Sequence, residues 1–110
     1  MSKGTAQPLH PGEILRNDFM GPAGLSATSL AKALRVTPPR INDILLKRRG
    51  ISGDTALRLA RYFGGDALDW LQWQAKYDLF VAENEAGRAI EREIAPRAAA
   101  TKKATGRSDR

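Results

Sequence analysis

LSATSLAKALRVTPPRINDILLKRR, residues 25–49, alternates helix-start signals with apolar residues at helical spacing and ends in a basic cluster. Ser26 is a good N-cap, and Leu30, Ala31 and Leu34 recur after it at the three- and four-residue spacing of one buried helix face. Thr37 is expected to cap a second helix. Pro38 takes the first helical position, where no N–H is needed and its fixed φ already suits the helix; Ile41, Ile44 and Leu45 form the inward stripe. Arg35 and Val36 alone lie between, enough for a tight turn and nothing more. The spacing predicts two short helices crossing steeply, with Ala31 as the small residue at the crossing.

The second helix turns Thr37, Pro38, Pro39, Arg40, Asn42 and Asp43 outward, a face with little apolar bulk and several groups suited to base edges. Arginine pairs in bidentate fashion with guanine and asparagine with adenine in the major groove. Between residues 32 and 49, Lys32, Arg35, Arg40, Lys47, Arg48 and Arg49 stand against Asp43 alone, a local charge of +5. Such a patch neutralises phosphates and releases their counterions.

Composition narrows the alternatives. With 110 residues the chain holds one domain and a tail, and 42% hydrophobic residues suffice for a modest core. A net charge of +6 points to a polyanionic partner. The absence of cysteine excludes disulfides and thiolate metal sites, and a single histidine, His10, makes a metal site a poor expectation. No cofactor is expected. The sequence offers no nucleophile with a base beside it, no phosphate-cradling glycine loop and no ligand cluster, which argues against an enzyme. No apolar run approaches the length that spans a bilayer, and MSKGTAQPLHPG lacks an apolar signal core, so no membrane association and a cytoplasmic location are expected.

In chain order, residues 1–9 read as a flexible arm and 10–83 as the helix-turn-helix domain. Pro11-Gly12-Glu13 starts a first helix with Ile14, Leu15 and Phe19 inward, which Met20-Gly21-Pro22 is expected to stop. Gly50 turns the chain, Ser52 caps a fourth helix bearing Ala56, Leu57, Leu59, Ala60 and Phe63, and Gly64-Gly65 end it. Asp66 and Asp69 open a fifth, as a weak relative of the capping box. Residues 84–95 are expected to extend that helix until Pro96. Residues 96–110 form a basic tail that lacks the apolar residues needed to offset its ordering entropy.

The fifth helix carries two stripes. Leu68, Leu71, Ala75, Leu79 and Ala82 form one; Trp70, Trp73, Tyr77 and Phe80 form the other. Either both are internal, or the aromatic stripe meets a second copy or another partner. Residues 66–95 also reverse the charge, with seven acids against three bases, a local −4.

Several phrases resemble the HigA family of antitoxins, a branch of the lambda-repressor-like (Xre) helix-turn-helix proteins: HPGEIL at 10–15, LSATSLAKALRV at 25–36, PPRINDIL at 38–45, RRGIS at 48–52, TALRLARYFG at 55–64 and DWLQWQAKYDL at 69–79. The resemblance covers residues 8–83. It implies an all-α, five-helix lambda-repressor-like bundle with an extended last helix. It further implies an antitoxin that neutralises a HigB-like, mRNA-cleaving toxin and represses its own operon as a homodimer on palindromic operator DNA. The alternative from the residues alone is a solitary transcription regulator without a toxin.

By position, the resemblance places base reading on Thr37, Pro39, Arg40, Asn42 and Asp43 and phosphate contact on Lys32, Lys47, Arg48 and Arg49. The sequence departs from the family at three points. Arg35 stands where glycine is usual, so either the turn holds a left-handed arginine or its backbone differs. Lys47 replaces the glycine or asparagine that ends the reading helix, which would lengthen it. Ala27 replaces a phosphate-clamping glutamine, leaving that task to Ser26, Thr28 or Lys32.

Overall fold

His10 begins the ordered helical chain: its Nδ1 accepts the Gly12 N–H at 2.9 Å, and Pro11 follows at the first helical position. The computed structural model describes residues 7–98, and every regular element among them is helical. Pro11–Ile14, a π-helical Leu15–Met20 and Gly21–Ala23 follow one another without a break and form helix α1. Then come α2 (Ala27–Leu34), α3 (Pro38–Leu45), α4 (Gly53–Phe63) and α5 (Ala67–Glu93). These are the five helices expected. Of the outer segments, residues 1–6 of the arm and 99–110 of the tail lie outside the described residues.

Met20-Gly21-Pro22 does not stop α1. Within the π segment the ladder has already shifted, and Gly21 N–H reaches back five residues to the Arg16 carbonyl. Proline therefore enters where regular i→i−4 pairing is already interrupted, and its φ is one a helix uses. The helix ends at Gly24, which takes φ 66°, with Gly24 N–H bonded to Gly21 O and Leu25 N–H to Met20 O. This pair of bonds is a Schellman motif.

The same motif closes α2 and α3, around residues with a Cβ. Arg35 adopts φ 61°, with its N–H on Lys32 O and Val36 N–H on Ala31 O. Lys47 adopts φ 64°, with its N–H on Ile44 O and Arg48 N–H on Asp43 O. The turn thus holds a left-handed arginine. The expectation that Lys47 lengthens α3 is corrected, because it ends the helix in the conformation glycine would take.

Leu15, Leu30, Ala31, Ile41, Ile44, Ala56 and Leu59 are fully buried, so each of the first four helices contributes its apolar face to one core. Ala31, the small residue expected at the crossing of α2 and α3, is fully buried. α1 meets α3 so closely that a Cβ on Gly12 would collide with the Ile44 carbonyl oxygen. Gln74 of α5 holds the loop after α3, accepting the Ile51 N–H at 2.8 Å.

The structure corrects the expectation of a partner-facing aromatic stripe on α5. Trp70 is 2% exposed and lies in the core, 5.0 Å from the rings of both Phe19 and Trp73, while Phe19 meets Phe63 at 5.1 Å. Trp73 packs partly buried on this core, Tyr77 meets the buried His10 ring edge-on at 4.9 Å, and Phe80 is half-buried. Three rings fill the gap between α1, α4 and α5, which Leu and Ala at the same positions would leave open. Of the aliphatic stripe Leu71 packs partly buried on the core, while the rest faces outward, with Leu68 at 54% and Leu79 at 64% exposed, continued by Ile90. Helix α5 runs unbroken through Gly87 and ends before Pro96. At 27 residues it is about 40 Å long. It gives the molecule a 53 Å long axis against 33 and 27 Å for the others.

Candidate nucleic-acid interface

Helix α3 is fixed from behind and free in front. Ile41 and Ile44 are fully buried and Leu45 nearly so, while Thr37, Pro38, Pro39, Asn42 and Leu46 are exposed. Pro38 at the start fixes the first turn without a side-chain cap, since the Thr37 side chain makes no capping bond. The outward face therefore has short side chains on a rigid support, a shape that admits close approach to a base-pair edge.

Cations flank this face at both ends. Lys32 on α2 and Arg35 in the turn are exposed on one side; Lys47, Arg48 and Arg49 follow α3 on the other. They are not equally available. Lys47 forms an ion pair with Glu13 of α1, and that bond raises the pKa of its ammonium. Arg48, 72% exposed at its side chain, stands 3.9 Å from the half-buried Asp43, too long for a firm hydrogen bond. Arg49, Arg35 and Lys32 make no ion pair within 4.0 Å among the described residues.

Arg40 does not stand freely on the outward face. It lies on the flank of α3 nearer α4, where its Nη1 donates to Asp54 Oδ1 at 3.0 Å. The same oxygen accepts Arg58 Nε at 2.6 Å, and Arg58 Nη1 donates to the Leu34 carbonyl at 2.8 Å. Arg58, then Arg40, hold the Asp54 carboxyl below the usual carboxylate range. A continuous chain of bonds thus joins the end of α2 to the start of α4 and to α3.

The structure brings Thr37, Pro39, Asn42, Asp43 and Arg40 onto the front and flank of one helix, with Arg48, Arg49 and Lys32 around them. Sequence reasoning missed Asp54, Arg58 and Leu46. The i,i+4 spacing of Asp54 and Arg58 was a usable signal, while the 14-residue separation of Arg40 from Asp54 was not. Leu46, 55% exposed at the end of the face, offers apolar contact of the kind a thymine methyl accepts. Of the stand-ins for the missing glutamine at Ala27, Ser26 is engaged: its Oγ accepts Ser29 N–H at 3.0 Å and its N–H donates to Ser29 Oγ at 2.9 Å. Thr28 and Lys32 remain exposed.

Among the described residues no group of three or more His, Asp or Glu side chains is placed to hold a metal, and no helix is long and apolar enough to cross a membrane.

The HTH_3 (Helix-turn-helix) family model matches residues 18–70. Virulence-associated protein I of Dichelobacter nodosus is 61% identical over 77 residues, which are 70% of this chain and 71% of that protein. The Pseudomonas aeruginosa antitoxin HigA, solved with the higBA promoter, superposes with a TM-score of 0.78 at 47% identity, covering 82% of this chain and 98% of that one. An addiction module antidote protein of the HigA family from Coxiella burnetii superposes with a TM-score of 0.78 at 41% identity, over 84% of this chain and the whole of that one. With five helices in the same arrangement and identity at this level over nearly the full length of those structures, the chain belongs to the HigA family of helix-turn-helix antitoxins.

Proposed function

We propose that this protein is a sequence-specific DNA-binding antitoxin that represses its own operon as a dimer on a palindromic operator and neutralises a HigB-like, mRNA-cleaving toxin. The observation that carries DNA reading is the front of α3: short polar side chains on a buttressed helix, with unpaired cations at both ends. Asn42 and Arg40 meet base edges, Thr37, Pro39 and Asp43 shape the fit, and Lys32, Arg48 and Arg49 take phosphates. Lys47 contributes least, because Glu13 already engages its ammonium.

Dimerisation falls to the outer stripe of α5. Leu68, Leu79 and Ile90 are each about half or more exposed along one face, with small Ala75 and Ala82 between them. Two such helices brought together would bury these residues and set two α3 helices on one side, to enter major grooves about one helical turn, 34–36 Å, apart. The two-fold symmetry of such a pair requires a palindrome.

Two experiments test the proposal. Footprinting on the DNA upstream of the protein's own reading frame is expected to show protection of two inverted half-sites and none on shuffled sequence. Co-expression with the product of the neighbouring small open reading frame is expected to rescue growth. Protection without any toxic neighbour would leave a solitary transcription regulator; rescue without protection would leave a protein-binding inhibitor.

A further inference from the structure

Asp54 is an acidic residue beside a surface expected to meet a polyanion, and electrostatics alone disfavours it there. Its geometry supplies a reason for its presence. It is the second residue of α4, whose start is fixed by Ser52, the Oγ of which accepts Thr55 N–H at 3.2 Å. Its Oδ1 is held from behind by Arg58 Nε at 2.6 Å, and Arg58 is held by the Leu34 carbonyl at the end of α2. The carboxylate is therefore a fixed point, and Arg40 Nη1 rests on it at 3.0 Å. A guanidinium has five N–H donors in a rigid plane, so one bond to Asp54 leaves its other edge free for two parallel bonds.

We infer that Asp54 is a positioning and specificity-determining residue: it locks the Arg40 guanidinium so that its free edge faces one base pair, and Arg58 locks Asp54. This rests on the DNA-reading role of α3 proposed above. A long side chain without such a stop samples many rotamers and reaches phosphates as readily as bases. With the stop, the fork is presented in one plane, which is what discriminates guanine from the other bases. Asp54 thus exchanges affinity for selectivity. It repels the phosphate backbone whatever the sequence, and it sharpens the one contact that depends on sequence.

The test is equilibrium binding of the full chain to operator and to random duplex at fixed salt. The proteins are the wild type, Asp54→Asn, Arg58→Gln, Arg40→Ala and the pairwise combinations with Arg40→Ala. All three positions lie on exposed or half-exposed surface, and thermal melts confirm that each variant folds. Asp54→Asn and Arg58→Gln shift the net charge in opposite directions, so random-duplex affinity is expected to rise about threefold in the first and fall about threefold in the second. The operator-to-random ratio is nevertheless expected to fall in both, by about tenfold for Asp54→Asn, and neither drop should survive in the Arg40→Ala background. A ratio that stays within about twofold, tracks the charge, or drops equally without Arg40 overturns the inference and leaves Asp54 a simple helix-start acid. A wild-type ratio near one overturns the DNA-reading proposal itself, and this inference with it.

Discussion

Helices α3 and α5 share a design on their inner sides and differ in what they leave outside. Both drive large apolar residues into one core: isoleucines from α3, tryptophan and its aromatic neighbours from α5. Outside, α3 shows Pro39, Asn42 and a ring of cations, whereas α5 shows Leu68, Leu79 and Ile90 with acids around them. Burial makes the helices alike, and the chemistry of the uncovered face sets them apart. A polar face rimmed with positive charge suits nucleic acid; an aliphatic face suits another protein surface.

The inner side of α5 is where that division breaks most visibly. Trp70→Ala is expected to destabilise the fold by about 3–5 kcal/mol, as a large ring is removed from a packed core. Urea unfolding measures it. Leu79→Glu on the outer side is expected to leave urea stability within about 0.5 kcal/mol under monomeric conditions. It should weaken self-association at least about tenfold, the loss of one buried leucine, in sedimentation experiments. If Leu79→Glu unfolds the protein and Trp70→Ala leaves it folded but monomeric, the two faces have been assigned the wrong way round.

Much of this was legible in the sequence because it is local. Ser26, Pro38, Ser52 and Asp66 start their helices where the pattern places them, and the 3.6-residue stripes of α2, α3 and α4 face the core, except for Leu57 of the α4 stripe, which is 65% exposed. What was illegible depends on distance or volume. Which stripe of α5 turns inward is set by the ring of Phe19, itself packed on Phe63 from far along the chain, against which Trp70 stacks. The fate of Pro22 depends on the π-helical register before it, which composition does not signal. The engagement of Arg40 by Asp54 and of Lys47 by Glu13 required folded neighbours.

The ends of α2 and α1 give smaller effects. Arg35 holds a left-handed conformation that costs a residue with a Cβ about 1 kcal/mol, so Arg35→Gly is expected to raise stability by up to about that amount in urea unfolding. A loss of stability would mean that the arginine side chain contributes contacts that outweigh its backbone strain. His10 is buried, and burial first, then Lys47, lowers its pKa below the ordinary 6.5. Between its folded and unfolded pKa values the unfolded chain binds more protons. The stability His10 contributes is therefore complete above about pH 6.5 and is lost as pH falls toward the lower folded value. The cause is chemical as well as electrostatic, because protonated Nδ1 could no longer accept the Gly12 N–H. His10→Asn keeps an acceptor at the helix start and removes the titration, so its stability should decline less than the wild type between pH 7 and 5.

The outward face of α3 is tested most directly by the salt dependence of binding, on operator and random duplex, for Arg40→Ala and Arg48→Ala side by side. Arg40→Ala is expected to lose about 1–3 kcal/mol more on operator DNA than on random duplex and to relax preference at one base pair. Arg48→Ala should weaken both duplexes alike and reduce the salt slope by about one. Equal losses on both duplexes for both variants would contradict the assignment of α3 as the reading helix.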